Sequence, residues 1–431
     1  MTETASSAEE LRRLDLTHVL HPHATVGRPP EPFIVDSAKG ALLRDIHGTE
    51  YIDGTCGLWQ CAVGHGRPEL AVVAAEQMGK LEFYASFWHF SNPPAIKLAR
   101  RLTEISSPGL DTVFYTNGGS EGIETAVKLA RLAWHAQGEP DRTVILSRQG
   151  AYHGVGSASL AATGLPAFHQ GFGPLTPGFV HLSKPHGKRI ATESQEATDV
   201  LVDELEQTIA EVGPERIAAF VGEPLLGVGG MVPPPPGYWE RVQQVLRKHG
   251  ILLVVDEIVT AFGRLGYWFG SERYGIGPDI AVTAKGLSSG YVPMGAVLIG
   301  NGVKNMLDGT AFRHGFTYNG HPVGAAVSLA NIDLIESEGL LDRARTLGAR
   351  ILAGLRELEA DDVVFEVRGE GMAFGVELTV DDATPVAEAA RAAGVLVRAS
   401  GPTIVMSPPL VLTDAQADAL VAGVTKAVRS L

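Results

Sequence analysis

The chain contains little cysteine, with only Cys56 and Cys61 among its 431 residues. Structural zinc sites usually need four cysteine or histidine ligands, and no second pair accompanies these two, so we expect no metal site. Disulfide bonds are uncommon in large cytosolic proteins. Packing in the core is therefore the favoured interpretation of both thiols, and a disulfide is the less favoured one.

Long apolar runs and an excess of positive charge are also missing. No stretch approaches the length that spans a membrane, and Met1 to Asp15 contain no apolar signal-peptide segment, so we expect a cytoplasmic protein. The formal net charge is -14, whereas proteins that bind nucleic acids usually present a basic face. These absences favour small-molecule partners over a membrane or a nucleic acid.

Strand patterns alternate with helical patterns through the middle of the chain. The candidate strands are Thr112–Tyr115, Thr143–Leu146, Ile217–Val221, Ile251–Val255, Ile280–Thr283 and Ala296–Ile299. Amphipathic helices are predicted between several of them, including Ser120–Ala136 and Val200–Ala210. This alternation predicts an α/β fold with a mainly parallel sheet that helices cover on both faces.

The end of the chain has a different pattern, with short strands among its helices. The candidates there are helices Gly324–Glu336, Leu340–Leu358, Thr384–Ala393 and one from Asp414, and strands Val363–Val367, Met372–Leu378, Val395–Arg398 and Thr403–Met406. We expect a large domain at 67–323 and a smaller α+β domain at 324–431. Short strand signals at Leu42–Asp45 and Tyr51–Asp53 suggest that residues 1–66 join the smaller domain.

Reactive or glycine-rich segments follow directly on five of the predicted strands. They are Thr116-Asn117-Gly118-Gly119-Ser120-Glu121, Tyr152-His153-Gly154, Glu223-Pro224, Asp256-Glu257 and Lys285-Gly286. Ligands of open α/β sheets bind outside the carboxyl ends of the strands. One edge of one sheet is therefore expected to gather a glycine loop, an aromatic ring, carboxylates and a lysine.

The glycine loop precedes a predicted helix, whose free N–H groups and positive end would attract an anion such as a phosphate. The alternative is that Ser120 merely caps this helix. Since no Walker lysine follows the glycines, a nucleoside triphosphatase is not expected.

Asp256 ends an apolar strand, where its carboxylate needs a cationic partner. That partner is either a protonated pyridine nitrogen or, alternatively, the cation of a structural salt bridge.

Lys285 also follows an apolar strand, where burial lowers the pKa of an amine and makes it a nucleophile for carbonyl groups. A lysine that extends its amine to solvent is the alternative. Together with a phosphate cradle and Tyr152, these groups are what pyridoxal 5'-phosphate (PLP) requires.

Four motifs resemble those of the class III aminotransferases, which belong to the PLP-dependent transferases of fold type I. They are Asp256–Arg264, Thr283–Gly286, Gly315–Pro322, and Asp53-Gly54 with Gly64–Arg67. The resemblance runs from about residue 20 to the C-terminus. It implies a large domain with a mainly parallel sheet, a smaller α+β domain, and PLP as the cofactor.

The resemblance also implies roles for individual residues. Lys285 would hold PLP as a Schiff base and move the reacting proton, and Asp256 would bind the pyridine nitrogen. The implied cofactor-binding set is completed by Gly119 and Ser120 at the phosphate, Tyr152 and Ile258 on the two ring faces, Glu223 behind the site, and Phe316 with Thr317. Because Thr317 would reach the phosphate of the partner subunit, the resemblance implies a homodimer, with a dimer of dimers as the larger alternative.

Within the class, Leu58-Trp59 and Ser407–Leu410 are most similar to the ω-transaminases. There, Arg398 would bind a carboxylate and swing away for uncharged amines, whereas an exposed strand-end charge is the alternative. The implied substrate-binding set is Trp59, Phe87, Trp88, Tyr152, Val228 and Arg398, of which Val228 and Trp88 differ from the residues usual in the branch.

The implied reaction is ping-pong transfer of an amino group, through Lys285, from an amine or ω-amino acid to a keto acid such as pyruvate. A decarboxylase or aminomutase of the same fold is one alternative. A PLP-binding protein without catalysis is a more remote one.

Overall fold

The computed structural model describes residues 7–186 and 195–431. The part of the N-terminal prediction that concerns residues 1–6 lies outside the described residues. The strands, in chain order, are β1 Val35–Lys39, β2 Leu42–Asp45, β3 Glu50–Asp53, β4 Leu110–Thr116, β5 Val144–Arg148, β6 Phe179–Leu182, β7 Ile217–Gly222, β8 Leu252–Asp256, β9 Ile280–Thr283, β10 Gly295–Gly300, β11 Val364–Glu370, β12 Ala373–Leu378, β13 Val395–Leu396, β14 Arg398–Ser400 and β15 Thr403–Met406.

The helices are α1 Ala8–His18, α2 Cys56–Trp59, α3 Pro68–Lys80, α4 Pro93–Ile105, α5 Gly119–Ala136, α6 Ser157–Ala162, α7 Pro166–His169, α8 Gln195–Val212, α9 Tyr238–Lys248, α10 Gly270–Tyr274, α11 Asn301–Met306, α12 Pro322–Ser337, α13 Leu340–Arg356, α14 Thr384–Ala392 and α15 Asp414–Val428. Of these, α2 is a single turn with non-helical backbone angles at Gly57 and Leu58. In the described part of the chain, no helix is both long and apolar enough to cross a membrane.

A seven-stranded sheet forms the centre of the molecule, with the strand order β4-β10-β9-β8-β7-β5-β6. The neighbours from β9 to β6 run parallel, whereas β10 runs antiparallel to both β4 and β9. All six predicted strands of this region are present, which confirms the mainly parallel α/β sheet. The edge strand β6 was not predicted, because Phe179–Leu182 is a short segment interrupted by a histidine.

Helices cover both faces of this sheet because its strands are apolar on both sides. Strands β7, β8 and β10 are buried along their whole lengths. The apolar stripe of α5 packs on one face, with Ile123 and Val127 fully buried. Helices α8 and α9 pack on the opposite face through residues such as Leu205 and Val242. The parallel strand ends are thereby held in one row.

A second, antiparallel sheet lies near the end of the chain, with the order β11-β12-β15-β14. A third sheet joins β1, β2 and β3 from the N-terminal region to β13, which runs parallel to β3. The predicted single strand Val395–Arg398 is wrong, since Val395–Leu396 and Arg398–Ser400 pair in different sheets. Local apolar patterning cannot reveal that the chain changes sheets at Val397, because both halves are extended.

Candidate active site

The carboxyl ends of five parallel strands enclose a cavity of about 160 Å³. Eight of the residues predicted from the sequence line it, and four further residues complete the lining. The lining consists of Gly119, Ser120, Tyr152, Glu223, Val228, Asp256, Ile258 and Lys285, together with Leu58, His153, Gly154 and Val259. Residues separated by more than 200 positions in the sequence therefore meet at the predicted sheet edge.

Gly119 begins α5 at the rim of this cavity. A Cβ atom there would lie 2.6 Å from Cδ1 of Ile258, so this close approach requires glycine. Ser120 does not cap the helix, since its Oγ accepts a hydrogen bond from the Val155 N–H at 3.3 Å. No side chain caps the first residue of this described helix. The helix therefore directs its positive end toward the cavity and can bind an anion there.

Asp256 is the last residue of β8, and it is only 3% exposed. Its Oδ1 accepts the Ile258 N–H at 3.0 Å, and its Oδ2 lies 2.8 Å from Nδ1 of His153. The partner of the buried carboxylate is thus histidine rather than arginine or lysine. Because Asp256 also lines the cavity, its oxygens can accept a further N–H from a bound ring.

His153 was noted in the sequence only as the neighbour of Tyr152, and no role was predicted for it. Its side chain is fully buried, and its Nε2 has no hydrogen-bond partner among the described residues. The sequence signal for such a residue is the buried carboxylate of Asp256, which needs a hydrogen-bond donor. The sequence does not name that donor, because 103 positions separate the two residues.

Lys285 follows β9 in a tight turn, with a backbone φ of 38° that non-glycine residues rarely adopt. Asn331 stabilises this turn by donating to the carbonyl oxygens of Gly286 at 2.8 Å and Leu287 at 3.0 Å. Burial lowers the pKa of Lys285 to about 8, against the opposing effect of the Asp256 carboxylate. A lysine with this pKa has a substantial neutral fraction near physiological pH, as a nucleophilic amine needs.

Glu223 lies directly after β7 and connects two loops of the site. Its Oε1 accepts the Tyr152 N–H at 3.2 Å, and its Oε2 accepts the Gly227 N–H at 2.9 Å. Burial raises the pKa of Glu223, and the nearby charge of Asp256 raises it further. Tyr152 and Val228 are therefore positioned by one buried side chain.

Trp59 and Arg398 lie near Lys285, although neither lines the cavity. The ring of Trp59 is 5.3 Å from Nζ of Lys285 and 5.6 Å from Cζ of Arg398. Burial lowers the pKa of Arg398, an effect that Tyr152 partly opposes. Arg398 is thus not the exposed strand-end charge that was the alternative, and its guanidinium lies close to the other predicted substrate-binding residues.

Besides Trp59 and Arg398, four of the predicted residues do not line the cavity of this chain, namely Phe87, Trp88, Phe316 and Thr317. Trp88 is 87% exposed, Thr317 is exposed and Phe316 is half-buried. Phe87 packs against Gly315, where a Cβ atom would lie 2.9 Å from its Cζ. The segments that carry Phe87 and Gly315 thus pack on each other, and the expectation that Thr317 reaches the phosphate of the partner subunit stays a prediction.

A helix end that can bind an anion, a buried carboxylate and a buried amine meet here, and such a set of groups suits carbonyl chemistry on a phosphorylated ring. The aminotransferase class-III family model matches residues 24–428. The chain belongs to the class III aminotransferases, and it is a PLP-dependent aminotransferase.

Individual relatives agree with this assignment. The chain is 37% identical over 413 residues to gamma-aminobutyrate transaminase 1 of Oryza sativa subsp. indica, covering 90% of this chain and 80% of the rice protein. It is 37% identical over 404 residues to the putrescine–pyruvate aminotransferase of Pseudomonas aeruginosa, covering 90% and 88%. The crystal structure of an (S)-enantioselective omega-transaminase from Thermomicrobium roseum has a TM-score of 0.95 at 43% identity, with 99% of each chain covered.

The residues of the site fit PLP. The space at Gly119 admits backbone but no Cβ atom, as a phosphate-binding turn requires. The buried Nε2 of His153 has no partner in the described part of the chain, and Asp256 faces the cavity with free acceptor capacity. The amine of Lys285 completes a set of groups that matches the phosphate, ring nitrogen and aldehyde of this cofactor.

Replacing His153 by leucine should weaken the binding of PLP. A hydrogen bond to a charged group contributes about 1.5–3 kcal/mol, which corresponds to a loss of affinity of roughly 10- to 100-fold. The His153→Asn variant keeps an N–H donor near the position of Nδ1 and should bind PLP more tightly than His153→Leu. Fluorescence titration of the cofactor-free proteins measures both values. Equal affinities in His153→Leu and the unaltered protein would show that Asp256 does not depend on this histidine.

Proposed function

We propose that this aminotransferase takes the amino group of a terminal amine or an ω-amino acid and transfers it to a keto acid such as pyruvate. The observation that carries the proposal is the position of Arg398, whose Cζ lies 5.6 Å from the Trp59 ring that also faces Nζ of Lys285. A guanidinium that contacts the same aromatic ring as the reacting amine suits a carboxylate at the far end of a small substrate. The substrates named for the rice and Pseudomonas relatives support the same class of donor and acceptor.

The cofactor supplies an electron sink for the substrate carbon that loses a proton. In our proposal Asp256 keeps the ring nitrogen protonated, while His153 orients its carboxylate from behind. Gly119 and Ser120 hold the phosphate, and Tyr152 and Ile258 confine the ring between them. Nζ of Lys285 accepts the proton from the substrate carbon and later returns it, a task for which its pKa of about 8 is suited.

The amine and the keto acid share one pocket in this proposal. Val228 and Trp59 supply apolar walls, and Arg398 supplies the positive charge for a carboxylate. A donor without a carboxylate requires the guanidinium to move aside. The side chain that would make this movement belongs to Arg398, the first residue of the short strand β14 in the sheet of the smaller unit.

We also propose the larger organisation of the protein. A large domain at 67–323 would carry the cofactor, with 1–66 joined to the smaller unit at 324–431, and the pairing of β3 with β13 supports this division.

A homodimer, or a pair of such dimers, would bring Phe87, Trp88, Phe316 and Thr317 to the neighbour's site. Exposed aromatic side chains in this region, such as Trp88 and Tyr318, support a covered surface. The two free thiols support a reducing, cytoplasmic location.

Replacing Lys285 by alanine should lower turnover at least about 100-fold, because a positioned acid–base group contributes about 10²–10⁴-fold. Steady-state kinetics with several amine donors and pyruvate measures the loss. Lys304→Ala is the matched control, since this lysine forms an exposed pair with Asp111 at 3.6 Å and should leave turnover unchanged. Turnover of Lys285→Ala near the level of the control would contradict the proposed role.

Replacing Arg398 by alanine should raise KM for pyruvate roughly 10- to 100-fold, since a charge-assisted hydrogen bond contributes about 1.5–3 kcal/mol. KM for an amine donor without a carboxylate should change little. Arg398→Lys keeps the charge but not the bidentate geometry, so it should give an intermediate KM for pyruvate. If both KM values rise by the same factor, Arg398 is not the carboxylate site.

Two inactive variants should restore activity when they are combined in one dimer. Lys285→Ala removes the amine of its own site, and Thr317→Asp places a negative charge against the phosphate in the neighbour's site. In a mixed dimer, one site then has both an intact lysine and an intact threonine. Random pairing gives about half mixed dimers, so roughly a quarter of all sites should be active.

Co-expression of the two chains, followed by kinetics and measurement of molecular mass, provides this test. Each variant expressed alone is the control and should be inactive. A dimer that shows no recovery would mean that Thr317 acts within its own chain, and a monomer would overturn the proposed assembly.

A further inference from the structure

A buried polar cluster lies directly behind the loop that carries Trp59. We call it the thiol cluster, and it comprises Asp53, Cys56, Cys61, His65 and Arg264. Asp53 and Cys56 are fully buried, and Cys61 is 8% exposed. None of these residues lines the cavity of the active site. Their side chains are nucleophilic or charged groups that the proposed transamination does not use.

The backbone brings the two thiols together. The Cys61 N–H donates to the Cys56 carbonyl oxygen at 3.1 Å, which closes a turn over Gly57–Gln60. The two thiol side chains are also close enough for each to shift the pKa of the other. A disulfide needs its two Cα atoms within about 4.4–6.8 Å and its sulfur atoms within bonding reach. Because the backbone hydrogen bond holds the two residues on one tight turn, a small displacement can bring their sulfur atoms within bonding reach.

The surroundings make the two thiols chemically unequal. The hydrogen bond from Cys56, assisted by another from His65, outweighs burial and lowers the pKa of Cys61 to about 6. Burial raises the pKa of Cys56 well above its usual value. Burial alone would lower the pKa of His65, but its hydrogen bonds to Asp53 and Cys61 raise it to about 10. The surroundings thus favour the thiolate form of Cys61, beside the ring of His65, and the protonated form of Cys56.

We propose that Cys56 and Cys61 form a redox-active pair, which hydrogen peroxide oxidises to a disulfide. The Cys61 thiolate attacks one peroxide oxygen and breaks the O–O bond, which gives a sulfenic acid and a hydroxide ion. The sulfur of Cys56 then displaces the hydroxyl group from the Cys61 sulfur, forming the S–S bond and releasing water. Two thiols lose two hydrogen atoms in total, and peroxide is reduced to two molecules of water.

The new bond would act on the substrate side of the active site, because Trp59 lies between the two cysteines. The loop is already under backbone strain, with φ values of 54° at Cys56 and 66° at Trp59. Disulfide formation removes Cys56 from Arg264, whose Nη2 lies 3.3 Å from its sulfur, and removes Cys61 from His65. The loop must then adjust and move the Trp59 ring relative to Lys285 and Arg398. This effect on turnover rests on the proposed substrate site, whereas the thiol chemistry does not.

Treatment of the reduced, PLP-loaded protein with hydrogen peroxide tests the proposal. Because the chain has only two cysteines, intact mass together with alkylation of the denatured protein accounts for every thiol. We expect a mass lower by two hydrogen atoms, no alkylated cysteine, and a loss of turnover that a dithiol reductant reverses. Oxidation of the seven methionines is not reversed by the reductant and serves as an internal reference.

Two variants separate the steps. Cys61→Ser lacks the reactive thiolate and should keep its turnover after peroxide treatment. Cys56→Ser should stop at a sulfenic acid on Cys61, which dimedone traps and mass spectrometry detects. A third variant, His65→Asn, should slow the oxidation, because Cys61 loses its neighbouring cation and with it part of its thiolate fraction.

Two free thiols after peroxide treatment, or higher oxides of Cys61 beside an intact Cys56, would overturn the proposal. A disulfide that leaves both kcat and KM unchanged would overturn the coupling to Trp59. A protein that forms the disulfide but transaminates no donor would contradict the proposed function, while the redox-active pair would stand.

Discussion

The burial of charge at one edge of the central sheet is the constraint on which the rest of the structure depends. Asp256 and Glu223 are each 3% exposed, and the amine of Lys285 lies near them. Removing a charge from water costs several kcal/mol per ion, so each group needs a compensating partner. The partners are backbone N–H groups of the following loops and the ring of His153. The proposed reaction needs these charged groups in a buried site, whereas folding is opposed by the free-energy cost of burying them.

Much of this arrangement could be predicted because its signals are local. The mainly apolar strands β7, β8 and β9 end at or within two residues of Glu223, Asp256 and Lys285, and a parallel sheet brings such ends to one edge. Gly119 lies so close to the side chain of Ile258 that no Cβ atom fits between them. Strand apolarity, chain direction and side-chain size are properties of short segments, so the sequence reveals them without knowledge of the fold.

The remaining features depend on contacts between distant segments. His153 meets Asp256 across 103 positions, and Arg264 meets Cys56 across 208. The division of Val395–Ser400 between two sheets is decided by the partners Ile52 and Val405, not by the segment itself. The interpretation of both cysteines as packing residues agrees with their burial, yet it could not foresee the ionic surroundings that Asp53 and His65 provide. Pairing across the fold decides each of these cases.

The loop at 56–61 depends both on local backbone hydrogen bonds and on contacts with distant residues. Asp53 binds its N-terminal half through the Thr55 N–H at 3.0 Å and the Gly57 N–H at 2.8 Å, and the same carboxylate binds His65 at 2.9 Å. The hydrogen bonds from His65, Thr55 and Gly57 outweigh burial and lower the pKa of Asp53. One ionised carboxylate therefore stabilises a strained loop whose other side presents Trp59 to Lys285. The position of Trp59, which we propose as a wall of the substrate pocket, consequently depends on charges outside that pocket, so substitutions in the proposed wall and in the thiol cluster should not act independently.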